Sequence, residues 1–279
     1  MEQMDYSTEN GMINLTVYLG DLLPGQLLKD SIILITGGTS GIGYEIGKQC
    51  ITQGARVIIT GRSKERLEAA EANLGSQCKG FQFDMKDISS FDKLLIDAEK
   101  CFGPINCLVN NAGISLHEGD FINVTEETWD EQFLVNLKSP YFLTQAWLRY
   151  YRKSHLRTGR IVMMASDTSG MGSSVPYGLT KVGIASLTRG LAKKLVTEGI
   201  RINAIAPGTT LTPMTDDLTH GKVIRKTTLG LRTLFPAEIA RICVFLLSDL
   251  STCMSGNVFG CSEANICFDN AYQEAETNP

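Results

Sequence analysis

Residues 32–43 read IILITGGTSGIG, a short apolar run followed at once by a glycine-rich turn. The apolar run predicts a buried strand, and the spacing of Ile42, Ile46 and Cys50 predicts a helix after the turn. Glycines at such a junction let the chain turn tightly, let backbone N–H groups approach a pyrophosphate and let the helix pack closely on the strand. Because the phosphate then lies at the positive end of the helix, this stretch predicts a dinucleotide site.

The same alternation of short β-branched runs and helical spacing continues over residues 31–261. Strands are predicted at Ile32–Thr36, Val57–Thr60, Gly80–Asp84, Cys107–Asn110, Ile161–Ala165, Ile202–Ile205 and Asn257–Cys261. Seven strands with helices between them predict an α/β fold. Its architecture is a three-layer, doubly wound parallel sheet of seven strands, the Rossmann fold.

The pattern divides the chain into three segments. Residues 1–30 do not follow the alternation and are predicted to be an N-terminal extension that partly packs on the domain. Residues 31–267 form the Rossmann-fold domain, and residues 268–279 form a polar, acidic tail that is expected to fray. Within the domain, residues 209–235 make a long connection with few periodic signals, which predicts a lid over a site.

Composition excludes several classes of function. The chain has 279 residues and a formal net charge of -4, so no nucleic-acid partner is expected. No apolar run approaches the roughly 18 residues of a membrane span, and no basic N-terminal leader is seen, so we expect a cytoplasmic protein without a membrane partner. The eight cysteines are scattered without a CxxC motif or histidines at ligand spacing, so we expect reduced thiols and no metal site.

The residues after the second strand bear on the choice of cofactor. An NAD site would place a carboxylate there for the ribose 2′-hydroxyl, but this chain has Thr60-Gly61-Arg62-Ser63. The guanidinium of Arg62 can clamp a 2′-phosphate, so the sequence predicts that NADP(H) is preferred and that NAD(H) remains an option. The alternative is that Arg62 is a solvated residue at the start of a helix.

A tyrosine and a lysine four residues apart, Tyr177 and Lys181, are neighbours on one predicted helix face. Tyr44 and Lys48 have the same spacing but lie just behind the glycine turn, where a structural role is expected. A cation near a phenol lowers its pKa by roughly 1–3 units, so Lys181 can tune Tyr177. The hydroxyl of Ser166 can then hold the substrate oxygen while the phenol gives or takes a proton.

Together these motifs resemble the short-chain dehydrogenase/reductase family, over about residues 31–262. The resemblance is carried by the following motifs, in the family's order: TGxxxGxG at 36–43, Asp84, Asn-Asn-Ala-Gly at 110–113, Asn136, Ser166, YxxxK at 177–181 and Asn-Ala-Ile-Ala-Pro-Gly at 203–208.

The resemblance implies a role for each matching position. Tyr177 would be the general acid/base, Lys181 would also bind the nicotinamide ribose, Ser166 would orient the substrate carbonyl and Asn136 would hold a water in a proton relay. Apart from the resemblance, His117 can line the substrate pocket because it follows residues 110–113 closely, and Thr168 is a candidate on the same side as a substitute for Ser166. The residues and the resemblance together predict these cofactor contacts: Gly37, Thr39, Ser40, Gly41, Ile42, Gly43, Arg62, Ser63, Asp84, Met85, Asn111, Ala112, Gly113, Tyr177, Lys181, Pro207, Gly208, Thr210 and Thr212.

Two departures from the family pattern have consequences. Ser166 lies 11 residues before Tyr177, closer than is usual in the family, so Thr168 or Ser169 is an alternative to it. The family's common terminal Asp-Gly-Gly is replaced around residues 262–264, which puts a C-terminal subunit contact in question.

Two predicted outer helices, over residues 129–148 and 177–195, carry more apolar side chains than one buried stripe needs. These side chains include Trp147, Val182, Ile184, Leu187 and Leu191. The sequence therefore predicts at least a homodimer that is joined through the two helices. In the resembling family a contact through the C-terminal strand often adds a second interface, which implies a homotetramer as the alternative.

The resulting functional hypothesis is an NADP(H)-dependent oxidoreductase that interconverts a carbonyl and a secondary alcohol by hydride transfer. Its small-molecule substrate resembles that of the 3-oxoacyl-carrier-protein reductases or that of the sugar and polyol dehydrogenases. Basic residues Lys222, Arg225, Lys226 and Arg232 can receive an acidic substrate or form a solvated face. The alternative function is a catalytically weak NADP-binding sensor or scaffold of the same fold.

Overall fold

The computed structural model describes residues 24–170, 173–224 and 230–263, together with the backbone of 5–9 and 12–16. The two short N-terminal pieces form an antiparallel hairpin of strands β1 (Asp5–Glu9) and β2 (Met12–Thr16).

The remaining strands form one parallel sheet, which confirms the predicted fold. They are β3 (Ile32–Ile35), β4 (Arg56–Gly61), β5 (Cys78–Gln82), β6 (Cys107–Asn110), β7 (Gly159–Met164), β8 (Ile200–Pro207) and β9 (Val258–Cys261). Their order is β5-β4-β3-β6-β7-β8-β9, and every neighbouring pair is parallel. Each predicted strand is present, with ends that differ by at most two residues.

Helices cover both faces of the sheet. They are α1 (Gly41–Thr52), α2 (Lys64–Leu74), α3 (Phe91–Phe102), α4 (Glu126–Phe133), α5 (Ser139–Lys153), α6 (Pro176–Leu195), α7 (Asp216–Thr219) and α8 (Pro236–Leu247). Alternate residues of β3 separate the two cores: Ile32 and Leu34 pack with α3, α5 and α6, whereas Ile33 and Ile35 pack with α1, α2 and α8. The strand is therefore apolar on both sides, as a central parallel strand must be.

The direction of winding changes between β3 and β6. The chain runs from β3 outward to β5, returns to place β6 beside β3, and then continues to β9. The loops after β3 and β6 consequently leave the sheet in opposite directions, and a crevice opens at the carboxyl ends of the strands.

Two of the side chains expected on an outer apolar face lie in the core instead. Trp147 is fully buried and its indole N–H donates to the carbonyl of Ile105 at 3.1 Å, while Ile184 is 2% exposed. Leu187 and Leu191 are partly buried against the same core, and Val182 alone of the five is exposed. That part of the prediction was wrong because the indole is large enough to reach the sheet from α5.

Part of the predicted N-terminal extension packs on the domain. Leu28 is 1% exposed within the core, and the backbone N–H groups of Gly25 and Leu28 donate to the carbonyls of Thr52 and Gln53 at the end of α1. The predicted tail at 268–279 lies outside the described residues. Among the helices of the described residues, none combines the length with the apolar character that a membrane span requires.

Candidate active site

A cleft of about 880 Å³ opens where the winding changes. Loops from the carboxyl ends of β3, β4, β5, β6, β7 and β8 form its walls. All but two of the predicted site residues line it: Gly37, Thr39, Ser40, Gly41, Ile42, Arg62, Ser63, Asp84, Met85, Asn111, Ala112, Gly113, His117, Ser166, Thr168, Tyr177, Lys181, Pro207, Gly208, Thr210 and Thr212. Gly43 and Asn136 do not line the cleft and lie behind its wall.

The glycine turn at one end of the cleft has the shape that a pyrophosphate needs. Gly37 and Gly41 have φ angles of +67° and +55°, which favour glycine. A Cβ on Gly43 would lie 2.2 Å from the carbonyl oxygen of Gly37, so glycine is required for α1 to approach the turn. Ser40, Gly41 and Ile42, where α1 begins, line the cleft. Since the first N–H groups of a helix have no partner within the helix, the turn fits a dinucleotide cofactor.

Asn111 braces this turn against the centre of the sheet. Its side-chain amide donates to the carbonyls of Thr36 and Gly37 at 3.0 and 3.1 Å. The Thr36 hydroxyl in turn accepts from the backbone N–H groups of Asn111 and Ala112, both at 3.0 Å. These four hydrogen bonds therefore join the turn after β3 to the loop after β6.

Two arginines, one of them missed by the sequence reasoning, line the cleft after β4. Arg62 is exposed, and its carbonyl accepts from the side chain of Gln82 at 3.0 Å. Arg66 is also exposed and lines the same cleft. The signal for Arg66 was its spacing, since Ser63 caps α2 by accepting from the N–H of Arg66 at 3.2 Å and thereby places Arg66 in the first turn.

Lys181 is buried on the wall opposite the glycine turn. Its ammonium donates to the carbonyl of Met164 at 3.0 Å and lies 5.6 Å from the centre of the Tyr177 ring. Burial lowers the pKa of Lys181 to about 8.

The pKa of Tyr177 is raised, whereas the sequence predicts that Lys181 lowers it. The tyrosine is partly exposed to the cleft but surrounded mainly by protein, and this burial raises its pKa to about 12. A hydrogen bond with Ser166 acts in the lowering direction, while the charges of Asp167 and Glu118 raise the pKa further. The expected lowering by Lys181 is not found, because desolvation of the phenol dominates and the ammonium is engaged with Met164.

The sequence leaves three hydroxyls as candidates to orient the substrate oxygen: those of Ser166, Thr168 and Ser169. Ser166 is 6% exposed, lines the cleft and donates to a carboxylate oxygen of Asp167 at 3.0 Å. Thr168 also lines the cleft. The hydroxyl of Ser169 instead donates to the carbonyl of Ser166, and Ser169 is not part of the wall. The geometry favours Ser166, with Asp167 as a neighbour that the sequence reasoning did not name.

Asn136 supports the wall from behind. It lies in a π-helical turn, Leu134–Lys138, that joins α4 to α5, and it is 2% exposed. Its side chain accepts from the N–H of Ile114 and donates to the carbonyl of Ile114, both at 2.8 Å. A Cβ on Gly113 would lie 3.2 Å from Asn136 Oδ1 and 3.6 Å from Lys181 Nζ, so both groups flank the same point.

Several residues of the predicted lid line the cleft, among them Thr209, Met214 and Leu218.

Arg232 does not serve as a free cation for a substrate: it is 7% exposed and forms ion pairs with Glu238 at 2.8 Å and Glu263 at 2.5 Å. The expectation for Arg232 was therefore wrong, because two carboxylates already neutralise it. Lys222 is exposed, whereas 225–229, with two of the four basic residues, lie outside the described residues.

The fold and the cleft define a nicotinamide-dinucleotide-dependent oxidoreductase of the Rossmann type. Comparison with known families agrees, since the family model for short chain dehydrogenase matches residues 31–223. The chain belongs to the short-chain dehydrogenase/reductase family and is an NAD(P)-dependent oxidoreductase.

Individual relatives are similar over most of the chain. It is 34% identical to a 3-oxoacyl-(acyl-carrier-protein) reductase, FabG, of Haemophilus influenzae over 80% of this chain and 92% of that protein. It is also 34% identical to FabG of Aquifex aeolicus, over 83% and 95%. A crystal structure of 3-ketoacyl-(acyl-carrier-protein) reductase from Brucella melitensis complexed with NADH superposes with a TM-score of 0.79 at 26% identity, over 86% of this chain and 99% of that one.

Proposed function

We propose that residues 31–267 form an NADP(H)-dependent oxidoreductase that interconverts a carbonyl and a secondary alcohol with Tyr177 as general acid/base. The observation that carries this proposal is the grouping of Tyr177, Ser166 and buried Lys181 on one wall of a cleft that has the glycine turn at its other end. A sensor or scaffold protein has no need of an acid/base group beside the nicotinamide end.

Each side chain has a defined task in carbonyl reduction. Ser166 orients the substrate oxygen, and Tyr177 donates a proton to it. With a pKa of about 12, the phenol carries its proton at neutral pH, so the proton to be donated is present. The bound nicotinamide supplies the hydride. Lys181, fixed on Met164, presents its ammonium to the nicotinamide ribose, and Asn136 holds a water for the proton relay.

The preference for NADP(H) is supported by the charges after β4. Arg62 and Arg66 both line the cleft there, and neither guanidinium forms an ion pair with a carboxylate among the described residues. A 2′-phosphate would meet one or both guanidinium groups. The 2′-hydroxyl of NAD(H) would not find the Asp or Glu carboxylate that usually accepts its hydrogen bond at the end of this strand.

For the substrate we propose a 3-oxoacyl thioester, on the strength of the reductases that share 34% of this sequence. The test measures NADPH and NADH oxidation by the purified protein with acetoacetyl-CoA, a neutral ketone and a ketose. Turnover of acetoacetyl-CoA with NADPH is the expected result. Turnover of the sugar alone favours the polyol class, and tight NADPH binding without turnover of any probe favours the sensor.

We also propose a homodimer through the outer surface of α4 to α6. Trp129, Tyr141 and Val182 are 40%, 46% and 37% exposed there. The groove that runs between α4 and α5 is lined by Asp130, Phe133, Leu134, Leu137, Lys138, Tyr141 and Phe142. A tetramer has less support because Glu263, in the altered C-terminal motif, is engaged with Arg232.

We propose a cytoplasmic location, and the free cysteines throughout the described residues support it.

A further inference from the structure

A chain of polar side chains leads from Asn136 to the loop that follows β6. Gln132, one helical turn before Asn136, is fully buried, and a buried amide needs partners. Its Nε2 donates to Oε1 of Glu118 at 2.6 Å, and its Oε1 receives a longer contact of 3.5 Å from Nδ2 of Asn136. These contacts join an acidic residue of the loop to the side chain that flanks Lys181.

The loop is therefore fastened to the helix at two points. Asn136 holds Ile114 by two hydrogen bonds of 2.8 Å, and Gln132 holds Glu118. Ser115 and His117, which line the cleft, lie between the two fastenings. His117 has a φ angle of +53°, in the left-handed region that few residues other than glycine adopt.

We propose that Glu118 is a positioning residue: through Gln132 its carboxylate holds residues 114–118 against Asn136 and so fixes the substrate-side wall of the cleft. The effect on substrate turnover rests on the proposed function, but the effect on the loop does not. A carboxylate suits the task because a hydrogen bond to a charged acceptor is about twice as strong as a neutral one. The charge also reaches Tyr177, whose pKa it helps to raise.

Three variants separate the hydrogen bond from the charge. Glu118→Ala removes both, Glu118→Gln keeps an acceptor oxygen without the charge, and Gln132→Leu keeps the charge while removing the amide. With acetoacetyl-CoA we expect Glu118→Ala and Gln132→Leu to raise KM by about tenfold. Glu118→Gln is expected to stay within about threefold of the wild type, because a neutral acceptor keeps about half of the strength of the hydrogen bond.

Two further readouts distinguish positioning from a general loss of structure. The alkaline limb of the pH profile of kcat/KM moves to lower pH in both Glu118 variants and stays in place in Gln132→Leu, since only the former lose the charge. The Kd for NADPH stays within about twofold in all three, since the pyrophosphate turn is not involved. The double variant Glu118→Ala/Gln132→Leu is no worse than either single variant, because both remove the same link. Glu126→Ala, which removes an exposed carboxylate from the start of α4, is the matched control and leaves KM unchanged.

Hydrogen exchange of the unliganded protein tests the loop without any turnover. The N–H of Ile114, which donates to Asn136, is expected to exchange at least about fivefold faster in Glu118→Ala than in the wild type or in Glu126→Ala. Unchanged exchange at Ile114, or a KM in Glu118→Gln as high as in Glu118→Ala, would overturn the proposal. If the wild type reduces no probe, the proposed function fails, and the exchange measurement still decides the role of Glu118.

Discussion

The ammonium of Lys181 is tied to the carbonyl oxygen of Met164 by a hydrogen bond of 3.0 Å, which fastens α6 to the end of β7. This bond keeps the charge beside the Tyr177 ring and away from solvent. Burial is the reason that the pKa of Lys181 lies at about 8 instead of 10.5.

The depressed pKa of Lys181 has a measurable effect on stability. Between about pH 8 and pH 10.5 the unfolded chain binds more protons at this lysine than the folded chain, so this group makes the free energy of unfolding rise with pH. Relative to Lys181→Met, the wild type should gain about 2 kcal/mol in its free energy of unfolding from pH 7 to pH 9.5. Urea unfolding of both proteins, without cofactor, at pH 7 and pH 9.5 measures the difference. A constant difference would contradict the assignment.

Replacement of Tyr177 by phenylalanine should remove catalysis and spare cofactor binding. The phenol is the proton donor to the substrate oxygen, and its loss is expected to lower kcat by about 10²–10⁴-fold. Steady-state kinetics and an NADPH titration measure the two effects. Tyr44→Phe is the control, since Tyr44 has the same spacing from a lysine but packs in α1. Activity that survives in Tyr177→Phe and is lost in Tyr44→Phe would show that the wrong pair was chosen.

Arg62 and Arg66 should set the choice of cofactor. Because both guanidinium groups are exposed, each contact with a 2′-phosphate is worth less than a buried one, and we expect each alanine variant to weaken NADPH binding by about tenfold. NADH binding should change little. Fluorescence titration with both cofactors measures these affinities, and Arg56→Ala, on the far end of β4, serves as control. Equal affinity of the wild type for NADPH and NADH would refute the preference.

We expect the groove between α4 and α5 to be buried in a dimer interface with a second copy of the chain. Light scattering at micromolar concentration is expected to give twice the chain mass of 30.5 kDa. Tyr141→Asp should shift the protein toward the monomer, because a carboxylate would be buried in an apolar contact. Ile96→Asp, which alters an exposed apolar residue on α3, should leave the dimer intact. A monomeric wild type would exclude this interface.

The segment from Thr209 to Arg232 should become protected when the cleft is filled. Met214 and Leu218 line the cleft, so cofactor and substrate together would pack against them. Hydrogen exchange at residues 209–224 should be slower with both ligands bound than in the unliganded protein. Strong protection in the unliganded state would mean that the segment is ordinary packed structure.

The sequence alone determined the seven strands, their parallel arrangement and the glycine turn. These features depend on local rules: β3 is apolar on both faces because helices cover both sides of a parallel sheet, and Gly43 is required by the close approach of α1 to Gly37. The order of the motifs along the chain also placed Tyr177, Lys181 and Ser166 in one family pattern.

Tertiary structure alone decided which charges face one another and which side chains are out of water. The pKa of Tyr177 is raised by desolvation and, to a smaller extent, by the charges of Asp167 and Glu118. Neither the desolvation nor Glu118, 59 positions away in the sequence, can be recognised from a local pattern. From the sequence Arg232 is a candidate cation for a substrate, but in the fold it pairs with Glu238 and Glu263. Trp147 is predicted on an outer helix face, but in the fold it is fully buried against the sheet. Periodicity fixes the face of a helix, but burial and charge pairing depend on what the rest of the chain brings to that face.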